Sequence, residues 1–211
     1  MSVTHRDFQL IFGVTGLKAA GKDELTRYLS EKYGFFIRSC GDEIRDQLKK
    51  SGIEKPTVDQ QIELGNRGRH ESGDVAYWAK RVMLTCKGES CRLVGVNGLR
   101  HPLEVDGMTA MVGSRLVVVG VVAPTPLRAQ RLISRGRIGD PQTIEQFLDL
   151  DDHDRGIGQP WDGQQVDRTL AKVPRENLYN NTGTLEEFHA WIDALVAREM
   201  KKRRLKLGKK G

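Results

Sequence analysis

The amino-acid sequence predicts an α/β fold in which a five-stranded parallel β-sheet carries helices on both faces. Short apolar segments alternate with longer helical patterns, an order that is typical of βαβ units joined by right-handed crossovers. The segment 116–122 contains only Leu, Val and Gly, which predicts a central strand buried on both faces. A glycine-bounded loop at 16–22 separates the first apolar segment from the first helical pattern. These three observations together indicate the α/β class.

Five apolar segments are short enough to be strands. The first leads directly into the glycine-bounded loop, and the third ends at Asn97-Gly98, a pair that favours turns. Neighbouring strands are separated by enough residues for a crossover helix, which favours parallel pairing. In chain order the predicted strands are 8–14, 35–37, 92–96, 116–122 and 178–179.

Residues with strong positional preferences mark the helix ends. Gly34 ends the helix that follows the loop, and Pro102 suits a first helical turn. Thr184 and Glu187 have the spacing of a capping box. We predict a turn at 40–42 and helices over 23–33, 43–50, two segments in series between 58 and 86, 101–112, 125–135, a short segment near 143–150, and 185–200.

The length and composition are those of one α/β domain with a small lid. The 211 residues are 38% hydrophobic and 29% charged, which is enough for one well-formed core. We assign residues 1–200 to this domain, with a helical excursion at about 42–86 and a polar lid at about 136–165. No run approaches the ~20 apolar residues of a membrane span, and no signal-peptide pattern or metal-like cysteine spacing is present. We therefore expect a cytoplasmic protein with reduced thiols and no membrane partner.

The positive charge is concentrated at the carboxyl end. The net charge is +6, and seven basic residues lie in 201–211, which leaves about −1 for residues 1–200. We interpret 201–211 as a basic tail. A solvated terminus is the simpler interpretation of such a tail, and contact with nucleic acid is the alternative.

The glycine-bounded loop is the strongest functional signal. Its sequence, Gly16-Leu17-Lys18-Ala19-Ala20-Gly21-Lys22, matches G-x-x-x-x-G-K, and a strand before and a helix after are the context in which this pattern binds phosphate. A turn whose glycines serve only the chain reversal is the alternative. We expect the backbone of Gly16, Lys18, Ala19, Ala20 and Gly21 to bind ATP, and Lys22 to reach its β- and γ-phosphates and act in catalysis. The loop predicts the three-layer fold of P-loop NTPases.

Two acidic residues are candidates for handling Mg²⁺. Asp23 follows Lys22 where Ser or Thr usually binds the metal. Asp42 follows the second strand. Because the carboxyl ends of parallel strands meet at one edge of the sheet, where ligands bind, we expect Asp42 to lie near the loop. We expect Asp42 to order Mg²⁺ through water or to accept a proton. Arg45, one turn later, is placed to hold an acceptor phosphate. A helix-capping Asp beside a surface Arg is the alternative.

Further polar residues follow the later strands. Asn97 and Arg100 lie after the third strand, where we expect them to bind the acceptor. Arg131 and Arg135 share a helix face, and an anion between them would relieve their repulsion; a solvated basic face is the alternative. The acidic segment 151–155 is either a lid latched by ion pairs or a catalytic wall. The stretch 180–184 follows the last strand and contains Asn181 and Gly183. We expect it to border the purine ring of the nucleotide; a plain turn is the alternative.

These motifs together resemble the nucleoside monophosphate kinase group over nearly all of residues 8–200. Gly41-Asp42-Glu43-Ile44-Arg45 resembles the G-D-x-x-R segment of adenylate kinases, and Asn97-Gly98-Leu99-Arg100 resembles their D-G-x-x-R segment with Asn in place of Asp. Arg131 and Arg135 match the arginine pair at the lid hinge of that group. The resemblance implies that Arg45 and Arg100 hold the acceptor and that Arg131 and Arg135 clamp the transferring phosphates.

Other stretches resemble neighbouring kinase families. Asn180–Glu187 is similar to the N-x-G-x-L-E-E loop of dephospho-coenzyme A kinases, which flanks the ATP adenine. The overall pattern most resembles a dephospho-coenzyme A kinase-like family common in archaea, through Gly139–Pro141 and Glu145–Leu148. The Gly-Lys-Asp loop is similar to that of phage deoxynucleoside monophosphate kinases and animal phosphomevalonate kinases.

The sequence thus predicts an ATP- and Mg²⁺-dependent phosphotransferase for a small-molecule acceptor. We expect a nucleoside or deoxynucleoside monophosphate to bind the helices at about 42–86. A dephospho-coenzyme A kinase is the alternative enzyme. Asn97 and Asp23, in place of the usual Asp and hydroxyl, favour a third possibility: a nucleotide-binding regulator or weak ATPase that contacts nucleic acid through its tail.

Overall fold

The computed structural model describes residues 7–136 and 139–205. Its strands are β1 (Leu10–Gly16), β2 (Phe36–Ser39), β3 (Leu93–Leu99), β4 (Leu116–Val122) and β5 (Leu178–Asn180). Its helices are α1 (Lys22–Tyr33), α2 (Cys40–Lys50), α3 (Val58–Ser72), α4 (Tyr77–Gly88), α5 (Pro102–Val112), α6 (Thr125–Arg135), α7 (Ile144–Arg155), α8 (Val166–Leu170) and α9 (Leu185–Lys202).

The five strands form one parallel sheet in the order β2-β3-β1-β4-β5. β1 lies at the centre and pairs with β3 on one side and β4 on the other. Because all strands run in the same direction, their carboxyl ends meet at one edge, where ligands bind in sheets of this class. The predicted α/β fold is confirmed.

Two apolar cores lie on opposite faces of the sheet. On one face, Phe12 and Val14 of β1 pack in a cluster with residues of α1 and α9. On the other face, Ile11 packs with residues of α4 and α5. The side chains of β1 therefore alternate between the two cores, as the two-residue period of a strand requires. This arrangement gives the three layers expected of the fold.

Several element boundaries differ from the predictions. The predicted turn at 40–42 is wrong: these residues form the first turn of α2, because the Ser39 hydroxyl accepts from the Asp42 backbone N–H while the Asp42 carboxylate accepts from Ser39 N. The predicted turn at Asn97-Gly98 is also wrong, since both residues lie within β3. Inside the lid segment, α7 extends to Arg155, because it ends only at Gly156 in a left-handed conformation. Helix α8 was not predicted.

The carboxyl end is more ordered than a tail beginning at 201. Helix α9 runs to Lys202, and Leu205 packs against the core cluster on that face. Arg203 Nη2 donates to Ser114 O at 2.6 Å, so residues 201–205 belong to the folded body. Residues 206–211, which carry the rest of the predicted tail, lie outside the described residues. None of the helices in the described ranges is both long and apolar enough to cross a membrane.

Candidate active site

A cleft of about 560 Å³ opens at the carboxyl edge of the sheet. Three segments line it: the glycine-bounded loop after β1, the start of α2 after β2, and the end of β3 with the residues that follow it. Helix α3 and part of the lid segment close the other side. Of the predicted site residues, the cleft is lined by Lys18, Lys22, Asp23, Arg45, Asn97 and Arg100. Residues from distant parts of the chain thus meet where the topology predicts.

The amino end of the loop requires Gly16. Its φ is +148°, and a Cβ atom there would lie 2.1 Å from the carbonyl oxygen of Val121 on the neighbouring strand. Any other side chain would push β4 away from the loop. Gly16 therefore allows β1 to turn into the loop while β1 and β4 remain paired.

The carboxyl end of the loop is held by Asn181. Asn181 Nδ2 donates to Ala20 O at 2.8 Å, and a Cβ atom on Gly21 would lie 2.5 Å from that nitrogen. Arg131 Nη2 donates in turn to Asn181 O at 3.1 Å. Asn181 and Arg131 thus lie next to the loop. Gly183 follows on the same connection, immediately before Thr184, which caps α9.

Lys22 is folded back onto the loop. Its Nζ donates to Gly16 O at 2.7 Å and to Leu17 O at 2.8 Å. Burial lowers the pKa of Lys22 to about 8, and this effect outweighs the attraction of Asp154 and Asp23. A buried ammonium at the amino end of α1 favours an anion, which would take the place of the two carbonyl contacts.

The lowered pKa predicts that phosphate binding depends on pH. Below pH 8 Lys22 already carries its proton, so the affinity for ATP stays constant with pH. Above pH 8 the free protein loses this proton, and a bound phosphate must restore it. We therefore expect the Kd for ATP to rise up to about tenfold per pH unit above pH 8. Titration with a fluorescent ATP analogue between pH 7.5 and 9.5 measures the slope.

A matched variant isolates this effect. Lys22→Arg keeps its charge at every pH used, so its slope should be smaller. Burial also lowers the pKa of Lys18, so a residual rise of the same sign should remain, less than about threefold in Kd over the whole pH range. An equally steep slope in Lys22→Arg, or a flat profile in the wild type, would contradict the assignment.

Asp23 and Asn97 lie side by side next to the loop, and each has a side-chain oxygen that could bind a metal ion. Asn97 Nδ2 donates to Asp23 Oδ1 at 2.9 Å. Asn97 Oδ1 is buried and has no hydrogen-bond partner among the described residues. A carbonyl oxygen next to a carboxylate suits Mg²⁺, which binds few protein oxygens when phosphates supply the rest. The described residues contain no group of three or more His, Cys, Asp or Glu that would hold a metal without a nucleotide.

Asp42 caps the start of α2 and forms an ion pair with Arg45. One carboxylate oxygen accepts from Ser39 N and Oγ, and the other forms an ion pair with Arg45. Arg45 lines the cleft, whereas Asp42 is not among the lining residues. The structure thus brings Arg45 to the cleft, and the contacts of Asp42, which does not line the cleft, favour positioning of Arg45. The roles in Mg²⁺ binding or proton transfer stay predictions.

Two further predicted arginines are bound to acidic residues of the lid segment. Arg100 Nη1 lies 3.1 Å from Asp154 Oδ1 and 2.9 Å from Gln164 Oε1. Arg135 forms two hydrogen bonds with Asp140, at 2.8 and 2.5 Å. The segment 136–165 is therefore latched to the body by ion pairs, one of the two interpretations of its acidic residues. Arg131 and Arg135 are not among the residues that line the cleft.

A buried ion pair that the sequence analysis did not identify anchors α7. The side chains of Arg128 and Asp151 are 1% and 2% exposed, and Arg128 Nη2 lies 2.8 Å from Asp151 Oδ2. Arg128 also donates to Ala123 O at 2.9 Å and to Lys18 O at 3.3 Å. One guanidinium therefore joins the lid helix, the end of β4 and the phosphate loop.

The part of the cleft formed by α3, α4 and α5 contains three residues that the motifs did not reveal. Arg69 of α3 and Trp78 of α4 line the cleft, and Trp78 Nε1 donates to Gly65 O at 2.9 Å. Glu104 is 5% exposed and also lines it; its Oε2 accepts from Arg100 N at 2.7 Å, and burial raises its pKa. In the sequence, Pro102 and Glu104 together indicate only the start of a helix. Arg69 and Trp78 belong to no recognisable motif.

Sequence comparisons identify archaeal relatives that match almost the whole chain. A UPF0200 protein of Aeropyrum pernix is 32% identical over 194 residues, which cover 90% of this chain and 94% of the relative. A UPF0200 protein of Thermococcus gammatolerans is 31% identical over 193 residues, covering 89% and 94%. No protein-family model matches the chain.

Solved structures with the same fold include sugar kinases. A gluconokinase from Sinorhizobium meliloti superposes with a TM-score of 0.51 at 14% identity, covering 92% of this chain and 95% of that one. A sugar kinase from Janibacter sp. gives 0.51 at 12% identity, covering 89% and 92%. The protein TT1252 from Thermus thermophilus gives 0.53 at 18% identity, covering 90% and 98%. At these identities the similarity establishes the fold alone, which this chain shares with these kinases.

Proposed function

This chain belongs to the UPF0200 family, and we propose that it is a P-loop kinase that transfers the γ-phosphoryl group of ATP to a nucleoside or deoxynucleoside monophosphate. One observation carries the proposal: the phosphate loop and the acceptor arginines Arg45 and Arg100 line a single cleft. Its volume of about 560 Å³ lies within the usual range of small-ligand sites. Phosphoryl transfer needs donor and acceptor side by side in such a space.

The donor side is formed by the loop and its neighbours. The backbone between Gly16 and Gly21 would hold the β- and γ-phosphates together with Lys22, which would leave its carbonyl partners for them. Asn181 and Gly183 would border the adenine. Asp23 and Asn97 would hold Mg²⁺, which neutralises phosphate charge when it is bound with ATP. Their hydrogen bond and the unpartnered Asn97 Oδ1 support this assignment.

The acceptor side combines cations with an apolar wall. Arg45 and Arg100 would bind the acceptor's phosphate, and Arg69 adds a third positive charge to the same wall. Ile44 and the exposed Ile62 line the cleft and offer an apolar surface on which a planar base can pack, with the buried Trp78 beside them. A phosphate and a flat ring are the two parts of a nucleoside monophosphate, which favours this class of acceptor.

The reaction requires positioning rather than covalent catalysis. An oxygen of the acceptor's phosphate would bond to the γ-phosphorus, and the bond to the β–γ bridging oxygen would break as ADP leaves. A phosphate oxygen is already deprotonated, so no general base is needed. Arg131 and Arg135 would neutralise the charge on the transferring group when the lid segment closes and excludes water.

An acceptor panel tests the proposal. Purified protein with ATP and Mg²⁺ is mixed with each common ribo- or deoxyribonucleoside monophosphate, with gluconate and with dephospho-coenzyme A, and ADP release is measured. We expect at least one monophosphate to raise ADP release far above the acceptor-free rate. Stimulation by gluconate alone would reject the proposed acceptor class.

The similarity of residues 180–187 to dephospho-coenzyme A kinases supports that activity as the second candidate. A ribose hydroxyl needs a base, and Asp42 is the predicted one. If the hydroxyl is the acceptor, Asp42→Asn should lower kcat by about 10²–10⁴. With a monophosphate acceptor we expect a smaller loss, expressed mainly as a higher KM for the acceptor, because Asp42 then only positions Arg45. Steady-state kinetics with both acceptors distinguish the two.

Asp46→Asn is the matched control for this comparison. Asp46 lies on the same helix, forms an ion pair with Arg38 and does not line the cleft. It should therefore change neither kinetic constant by more than about twofold, as for most exposed ion pairs. Equal losses in Asp42→Asn and Asp46→Asn would show that α2 is merely destabilised.

A further inference from the structure

Five lysine and arginine side chains line the cleft, and they differ in what they contact. Arg45 and Arg100 form ion pairs with carboxylates. Lys22 donates to two loop carbonyls, and Arg69 donates to Asn66 Oδ1. Of these five, only Lys18 has neither an ion pair nor a hydrogen bond from its charged group to any of the described residues. A partly buried ammonium without a partner indicates a missing anion.

The backbone of Lys18 is held firmly in the loop. Its carbonyl accepts from Arg128, which is itself fixed by the buried pair with Asp151. The next residue, Ala19, has a φ of +58°, in the left-handed region that non-glycine residues rarely adopt. Backbone strain of this kind persists when the surroundings enforce it, and it is common at ligand clamps. The backbone position from which the Lys18 side chain enters the cleft is therefore set by the fold.

The charges around Lys18 come from both sides of the cleft. Burial lowers its pKa, and repulsion from Arg100 on the acceptor side acts in the same direction. Lys18 in turn contributes to the lowered pKa of Lys22 on the donor side. Asp154 and Asp151 oppose these effects, but neither forms an ion pair with Lys18. An anion located between Lys22 and Arg100 would relieve all of these repulsions.

We propose that Lys18 is a catalytic residue whose Nζ contacts the phosphoryl group while it passes from ADP to the acceptor. This inference rests on the proposed kinase function and goes beyond a role of Lys18 in holding ATP. As the acceptor oxygen bonds to the phosphorus and the bridging oxygen departs with its electron pair on ADP, Lys18 stays protonated. It donates a hydrogen bond to an equatorial oxygen of the group in transit, where charge is concentrated in the transition state.

Kinetics of three variants test this role. Lys18→Met removes the charge, Lys18→Arg keeps it, and Lys172→Met removes a lysine charge that is paired with Asp106 outside the cleft. We expect Lys18→Met to lower kcat by about 10²–10³ while the Kd for ATP changes less than threefold. Lys18→Arg should recover part of the loss, and Lys172→Met should match the wild type. An unchanged kcat, or a loss that appears wholly in the Kd for ATP, would overturn the proposal.

A second measurement does not depend on the acceptor. ADP, Mg²⁺ and aluminium fluoride together imitate a phosphoryl group in transit. We expect fluoride to tighten ADP binding in the wild type, as measured by calorimetry, and to tighten it at least tenfold less in Lys18→Met. Equal tightening in both proteins, or none in the wild type, would reject the role of Lys18. A wild type that shows tightening but transfers to no acceptor on the panel would instead reject the proposed acceptor class.

Discussion

Lys22→Met is expected to abolish phosphoryl transfer, with a loss of at least about 10³ in kcat/KM, because it removes the cation that we assign to the β- and γ-phosphates. The variant also loses the two hydrogen bonds that Lys22 makes to Gly16 O and Leu17 O. Its methionine side chain is close in size to lysine, so we expect the cores on both sides of the sheet to stay intact. ADP release in the presence of the best acceptor measures the loss.

The control for this prediction separates loop collapse from loss of chemistry. Thermal unfolding of Lys22→Met should show a Tm within a few degrees of the wild type, because a buried ammonium is replaced by an apolar group. Lys172→Met provides the baseline for removal of a lysine outside the cleft. Transfer by Lys22→Met at more than a tenth of the wild-type rate would remove Lys22 from the catalytic assignment.

Asp151→Asn should destabilise the fold by about 3–5 kcal/mol, because it leaves the guanidinium of Arg128 buried without a counter-charge. Both side chains are almost fully buried, at 1% and 2% exposure. At about 2–4 °C per kcal/mol for a chain of this size, Tm should fall by roughly 10 °C. Because Arg128 also donates to Lys18 O, the phosphate loop should loosen, and affinity for ATP should fall with stability.

Two comparisons make this prediction specific. Asp152→Asn, at the next position, changes a side chain that is 51% exposed and 3.9 Å from Arg155, so it should cost less than about 0.5 kcal/mol. The double variant Arg128→Met with Asp151→Leu replaces the pair by apolar side chains and should recover most of the lost stability. A Tm for Asp151→Asn equal to that of Asp152→Asn would contradict the buried-pair account.

The parts of the site that the sequence predicted depend on local patterns. The loop at 16–22 is recognisable because its glycines and Lys22 have a fixed spacing between a strand and a helix. β4 is recognisable because a run of β-branched residues has few alternatives to a buried strand. The capping box at Thr184 is also local, and its hydrogen bonds are present in the structure. The fold class followed from the alternation of such segments.

The parts that the sequence did not predict depend on contacts between distant residues. Arg100 is paired with Asp154, 54 positions away, and Arg128 with Asp151, 23 positions away. Arginine is rarely buried, so nothing local marks Arg128 as the centre of a buried network. Glu104 likewise lies in the cleft only because α5 begins at the carboxyl end of β3. The start of α2 is different, because Ser39-x-x-Asp42 is a local pattern that resembles a capping box, with Asp in the place of Glu or Gln.

Transfer of the γ-phosphoryl group itself tests the central claim most directly. Wild-type protein is incubated with Mg²⁺ and ATP labelled at the γ-phosphorus, once with each nucleoside monophosphate and once without an acceptor. Our account predicts that the label appears in a nucleoside diphosphate and that its formation matches ADP release one for one. Label released only as inorganic phosphate, at a rate that no acceptor changes, would contradict the kinase assignment and favour a nucleotide-hydrolysing protein.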